Sequence, residues 1–218
     1  MRIAKKTNKK GIYLDYASSA PTDSSVVEAM QLYWTAEYAN PSAIHSMGIK
    51  AKNAVMAARS SIAKILYAHS DEIIFTSGGT ESDNLAIIGT VMAAKEHVKK
   101  PHVVTTTIEH SAVLETCRYL ETQGIAVTYV PVESNGIVDP AKIKKALKET
   151  TVLVSVMYAN NEIGTIQPIA EIAKVIRHFR KHKKKKYRTD YFSYPAFHTD
   201  TAQAMQYFPT NVEKLGVD

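Results

Sequence analysis

The chain has one cysteine, Cys117, in 218 residues. That excludes an internal disulfide framework and a multi-cysteine zinc site, and no other residue cluster suggests a metal. No apolar run approaches the roughly 20 residues of a membrane-spanning helix. The basic start, residues 1–10, has no apolar signal region behind it, so a cytoplasmic protein is expected. Internal repeats are absent, which excludes solenoid architectures. Acidic residues are absent between Arg177 and Arg188, where eight lysines and arginines fall. Without these eight, 19 basic face 21 acidic residues, so the formal charge of +6 is local and the body of the chain is near neutral. The run His182-Lys183-Lys184-Lys185-Lys186 therefore reads as a solvated loop, and a nucleic-acid partner is not expected. With 45% hydrophobic and 22% charged residues, the composition is that of a globular protein with one large core.

Apolar patterning alternates between strand and helix. Asp23 or Ser24 can cap a helix reaching Tyr38, and Tyr13 to Tyr16 reads as a short extended start. The next helix places Ala51, Val55, Ala58, Ile62 and Ile65 on one face and ends near Leu66. Ile73, Ile74 and Phe75 read as a strand, followed by the turn Ser77-Gly78-Gly79-Thr80. The helix from Glu81 to about Lys99 presents Leu85, Ile88 and Met92, and Pro101 stops it. Strands are expected at 102–106, 127–132, 152–157 and 194–199. Helices between them bury Val113, Cys117 and Leu120, start at Asp139-Pro140, and run from Pro168 to about Lys181. This alternation implies an α/β fold with a largely parallel sheet covered on both faces.

The polar clusters follow the strands. Gly79 and Thr80 open a helix, where free N–H groups, hydroxyls and the helix dipole suit an anion such as a phosphate. An ordinary strand-to-helix turn is the alternative, because the glycine pattern matches neither the P-loop nor the dinucleotide fingerprint. His110, Asn161, and Asp200 with Gln203 each follow a predicted strand. Each taken alone also suits a structural or capping residue. Their shared position at carboxyl ends of strands is what points to one crevice.

Several stretches carry a family resemblance. These are Tyr13-Leu14-Asp15 with Pro21, Asn40-Pro41-Ser42 with His45, and Thr76-Ser77-Gly78-Gly79-Thr80-Glu81-Ser82-Asp83-Asn84. Glu109-His110-Ser111-Ala112-Val113, Asn160-Asn161-Glu162-Ile163-Gly164 and Asp200-Thr201-Ala202-Gln203 complete the set. In order and spacing, the chain resembles the pyridoxal-phosphate enzymes of class V aminotransferase type, and the cysteine desulfurases among them most closely. Selenocysteine lyases and aminotransferases of that class are the near alternatives. A basic binding module without catalysis is the alternative of another kind.

The resemblance implies a fold type I large domain, aspartate aminotransferase-like, with a mostly parallel mixed sheet. Residues 1–20 would form an amino-terminal arm. Residues 21–218 would form an incomplete cofactor-binding domain, with a basic insert at about 181–196. It further implies pyridoxal 5'-phosphate as cofactor, with Gly79 and Thr80 on its phosphate and His110 stacked on its ring as a catalytic residue. Asp200 would partner the pyridine nitrogen, and Asn161 and Gln203 would lie near the ring hydroxyl and substrate. L-cysteine would be the substrate and a sulfur-acceptor or scaffold protein of iron-sulfur cluster assembly or thiolation the partner, in a homodimer. The lysine that anchors the cofactor and the cysteine that takes the sulfur are implied after Asp200. The chain reaches only Leu215-Gly216-Val217-Asp218, so it is expected to be truncated and inactive alone. Cys117, on an apolar helix face, is no substitute for the reactive thiol.

Overall fold

The computed structural model describes residues 11–182 and 194–218. Residues 1–10 and most of the expected basic insert, 183–193, lie outside the described residues. The chain divides into two compact units, Met1–Lys52 and Asn53–Asp218. In the first, helix α1 (Ser24–Thr35) begins where the Asp23 carboxylate accepts the Ser25 N–H at 2.8 Å. It stops three residues short of the expected Tyr38. Tyr13 to Tyr16, expected as an extended start, is loop and turn, with the Tyr13 hydroxyl donating to the Asp15 carbonyl.

Helix α2 (Ser46–Leu66) forms as its periodicity predicts, but its stripe is only partly covered. Ala51 and Ala63 are buried, whereas Val55 and Ile65 are exposed. The expected strand at Ile73 to Phe75 is not one: among the described residues no strand hydrogen-bonds to this extended stretch. Instead the Arg59 guanidinium donates to the Ile73 carbonyl and lies 4.9 Å from the centre of the Phe75 ring.

Helix α3 (Gly79–Lys95) starts two residues before the expected Glu81 and ends before the expected Lys99. It buries Ile87, Val91 and Ala94, not the expected Leu85 and Met92, which stay exposed. Residues 85–94 are apolar nearly all round, so periodicity alone offers two equivalent stripes and packing selects one.

Strands β1 (His102–Thr106), β2 (Ala126–Val130), β3 (Thr151–Ser155) and β4 (Ala196–His198) form a parallel sheet in the order β2-β1-β3-β4. Helices α4 (Ser111–Thr122), α5 (Pro140–Ala146) and α6 (Ile169–His182) make the crossovers, and α7 (Val212–Leu215) follows β4. Alternate strand residues feed two cores. Val103, Leu153 and Ala196 pack with Ile87, Val91, Val113, Cys117 and Leu120 of α3 and α4. Val104, Val154 and Phe197 pack with Ile143, Ile169, Ile172 and Ile176 of α5 and α6.

The strand order explains this division. From β1 the chain steps one way to β2, and from β2 and β3 it steps the other way to β3 and β4. Crossovers of one hand therefore place α4 on one face and α5 and α6 on the other. The loops leaving β1 and β3, which are neighbours in the sheet, diverge to opposite faces. That divergence opens a crevice at the strands' carboxyl ends.

The rotation of α3 is testable by substitution. Ile87→Ala should destabilise the chain by about 2–5 kcal/mol, whereas Leu85→Ala should cost under about 1 kcal/mol, both measured by urea unfolding. Equal costs would mean that α3 does not bury the Ile87 side.

Candidate active site at the strand ends

A cleft of about 540 Å³ lies at the divergence of β1 and β3, lined by 107–111 on one wall and 160–163 on the other. His110 and Asn161 are brought together there. The His110 ring also caps α4, its Nδ1 accepting the Ala112 N–H at 3.2 Å. That bond sets the other ring nitrogen, Nε2, as the proton carrier of the neutral tautomer. The capping role and a role in the cleft are therefore compatible.

Thr80 lines an adjoining cleft of about 300 Å³ with Asn84, Ser111 and Glu115, and the last two line the larger cleft as well. Helix α3 precedes β1 by a short link, so its first turn stands at the same edge of the sheet. Its cap residue, Gly78, offers no side-chain hydrogen bond. Among the described residues the N–H groups of Gly79, Thr80 and Glu81 have no partner, and a side-chain carbon on Gly78 or Gly79 would meet nothing within 4 Å. This is an open, donor-only cradle at the positive end of a 17-residue helix. The Glu81 carboxylate turns back to the Ser77 N–H and hydroxyl, both at 2.6 Å, and those bonds hold it below the usual carboxylate range.

Asp200 leaves the end of β4 half-buried, with its Oδ1 accepting the Ala202 N–H at 2.9 Å. Its main-chain carbonyl accepts the Tyr158 N–H at 2.9 Å, which ties it to the end of β3. The preceding Thr199 hydroxyl is buried without a partner among the described residues. Gln203 is exposed on the turn beyond, and neither Asp200 nor Gln203 lines the two clefts.

Beneath these residues lies a polar layer to which the sequence reading assigned no role. The half-buried His198 ring bridges the Ser155 hydroxyl at 2.9 Å and the carboxylate of the buried Asp83 at 3.5 Å, joining β3, β4 and the first turns of α3. Asp83 is four residues beyond Gly79, one helical turn, and His198 is two before Asp200. That spacing was the available signal. Glu109 is buried as well, and burial pushes its carboxyl up to about 8. Bonds from Thr106 and the Met157 N–H oppose the rise, and the negative charges of Asp200 and Asp83 add to it. At the other end of the sheet, His102 is pushed down to about 4 by burial and then by Lys148, between Thr128 and Thr151. It is a core group of the sheet, remote from the clefts.

Residues 12–218 match the aminotransferase class-V family. The chain belongs to the class V aminotransferases. It is 46% identical over 210 residues to cysteine desulfurase IscS of Dictyoglomus turgidum, covering 96% of this chain and 49% of that protein. It is 43% identical over 212 residues to cysteine desulfurase IscS of Methanosarcina thermophila, covering 97% of this chain and 48% of that protein. Among solved structures, a NifS-like protein superposes with a TM-score of 0.84 at 39% identity, covering 95% of this chain and 53% of that one. SspA in complex with cysteine superposes at 0.82 with 37% identity, covering 94% and 55%. The chain thus spans about half the length of the curated relatives it matches. Class V aminotransferases and cysteine desulfurases are pyridoxal-phosphate enzymes, and the α/β fold with its parallel sheet is theirs. The residues present fit that group: the open cradle of α3 suits a phosphate, and the Asp200 carboxylate suits a protonated ring nitrogen.

A raised carboxyl has a defined effect on stability. Below about pH 4.5 Glu109 is protonated in both the folded and unfolded chain. Between 4.5 and about 8 only the folded chain keeps the proton, so stability falls as pH rises through that window and then levels. His102 acts oppositely, losing stability as pH falls from 6.5 to about 4. Comparison with Glu109→Gln isolates the first effect. Relative to the variant, the wild type should lose on the order of a few kcal/mol between pH 5 and 8 in urea unfolding. A constant difference across that range would show that Glu109 is ionised in the folded chain.

Proposed function

We propose that this chain is the cofactor-binding portion of a cysteine desulfurase, which takes sulfur from L-cysteine, releases alanine and passes the sulfur to an acceptor or scaffold protein. Iron-sulfur cluster assembly or thiolation would be the destination. In this reading the protein works in the cytoplasm as a homodimer, with residues 1–20 as an arm and 21–218 in the large domain. The reading rests on one observation above others: an uncapped 17-residue helix start, an imidazole pinned at a helix cap and a carboxylate at the end of β4 all stand at one edge of the sheet.

Pyridoxal phosphate, when bound, supplies an electron sink for charge developing at the substrate's alpha carbon. The chain's own residues bind and orient it. Gly79 and Thr80 hold the phosphate through main-chain N–H groups and a hydroxyl. His110 would lie against the ring face, with its Nε2 as the proton-bearing ring nitrogen. The Asp200 carboxylate would favour a protonated ring nitrogen, while Asn161 and Gln203 would donate near the ring oxygen and the substrate. Cys117 is not the sulfur-accepting thiol: it is buried, and burial, then Glu109 and Glu121, push it up to about 12.

The experiment uses the longest form of the protein its gene encodes, supplied with pyridoxal phosphate and L-cysteine, with alanine and sulfide measured. Asp200→Ala should lower turnover by about 100-fold or more while weakening cofactor binding by less than about tenfold, since the carboxylate acts on developing charge and the phosphate cradle on affinity. Full activity in that variant would refute the assignment.

A further inference from the structure

Glu109 is a buried carboxyl between two loops, and the mechanism above makes no use of it. Its surroundings follow from the divergence of β1 and β3. The two strands pair as far as Thr105 and Ser155, after which the ladder ends. Beyond that point β3 still bonds to its other neighbour: the Val156 N–H donates to the His198 carbonyl at 3.1 Å and the Tyr158 N–H to the Asp200 carbonyl at 2.9 Å. In a parallel sheet alternate N–H groups face opposite neighbours. The Met157 N–H therefore faces β1, which has already turned away. It would be orphaned in a buried position, as would the Thr106 hydroxyl.

The Glu109 carboxyl satisfies both. Thr106 donates to it at 2.5 Å, and the Met157 N–H donates to both of its oxygens at 3.0 Å. Asn160 adds a second tie between the same loops, its side-chain amide donating to the Ile108 carbonyl at 2.8 Å. The residues flanking these ties, His110 and Asn161, are those that face each other in the larger cleft. Asp200 is attached one residue along, through Tyr158.

We propose that Glu109 is a positioning residue of the cofactor cleft: its carboxyl replaces the missing rung between β1 and β3 and so sets the spacing of His110, Asn161 and Asp200. The inference rests on the pyridoxal-phosphate reading for its purpose, though the clamp itself is a property of the ligand-free chain. The charged and titratable groups facing Glu109 are Asp83 of α3, Cys117 of α4 and Asp200 after β4, with His198 of β4 held against Asp83. With two carboxylates already there, a neutral group is favoured at the third position. A neutral acid and an amide accept the same two bonds, so glutamine should stand in for glutamate and alanine should not.

The test is amide hydrogen exchange on the 218-residue chain, with and without pyridoxal phosphate, for wild type, Glu109→Gln and Glu109→Ala. Without cofactor, Glu109→Ala should speed exchange about tenfold or more in 107–111 and 156–161, leave β2 and α6 near wild type, and be rescued by Glu109→Gln. With pyridoxal phosphate, the wild type and Glu109→Gln should be protected in those segments, and Glu109→Ala should need about tenfold more cofactor for the same protection. Wild-type exchange in those segments of Glu109→Ala, an equal rise throughout the fold, or a Glu109→Gln chain as loose as Glu109→Ala would each overturn the clamp. Absence of cofactor protection in the wild type would overturn the cofactor reading instead, while the ligand-free comparison still judges the clamp.

Discussion

Everything at the candidate site depends on one topological constraint: neighbouring strands β1 and β3 send their chains to opposite faces of the sheet. Crossovers of uniform hand and the order β2-β1-β3-β4 make this unavoidable. The divergence creates the cleft, and it also breaks the hydrogen-bond ladder at the cleft's floor. A parallel sheet end that is both open to a ligand and buried must satisfy its main-chain groups with side chains. Glu109 and Asn160 do so here, and the cleft walls take their separation from those bonds.

That solution has an electrostatic consequence. A carboxyl in the dry space between Asp83 and Asp200 is driven toward its neutral form, so the floor of the site carries less negative charge than its residue types suggest. The Asp83–His198–Ser155 bridge completes the floor. It connects the first turns of α3, whose amides stand open, to the last residue of β4, two before Asp200. The open amides of α3 and the segment carrying Asp200 are thereby linked through one polar layer.

Apolar exposure is uneven along the described residues of the chain. The second unit has two closed cores, one on each face of the sheet. The extended stretch before Gly78 has no strand beside it among the described residues, and apolar side chains of α2 and of the first unit are exposed. Leu85 and Met92 of α3 share that character. These surfaces are apolar by sequence and uncovered in this chain.

Much of the second unit was legible residue by residue. Strand β3 is a continuous apolar run because both its faces are covered, Asp139-Pro140 caps and starts α5, and Val113, Cys117 and Leu120 repeat at helical spacing; each signal is local. The motifs at His110, Asn161 and Asp200 do follow strands, as their patterns suggested, whereas Gly79 and Thr80 follow an extended stretch that is not one. The side of α3 that would be buried was not legible, because residues 85–94 are apolar on nearly every side and only neighbours can choose. Nor was the fate of Ile73 to Phe75, since a β-prone run becomes a strand only when another strand lies beside it. Glu109 stood in a quoted motif as the residue before a histidine, without a role. Its role depends on the Met157 N–H, 48 residues away and just past the end of the β1–β3 ladder, and only the folded sheet brings that N–H and the carboxyl together.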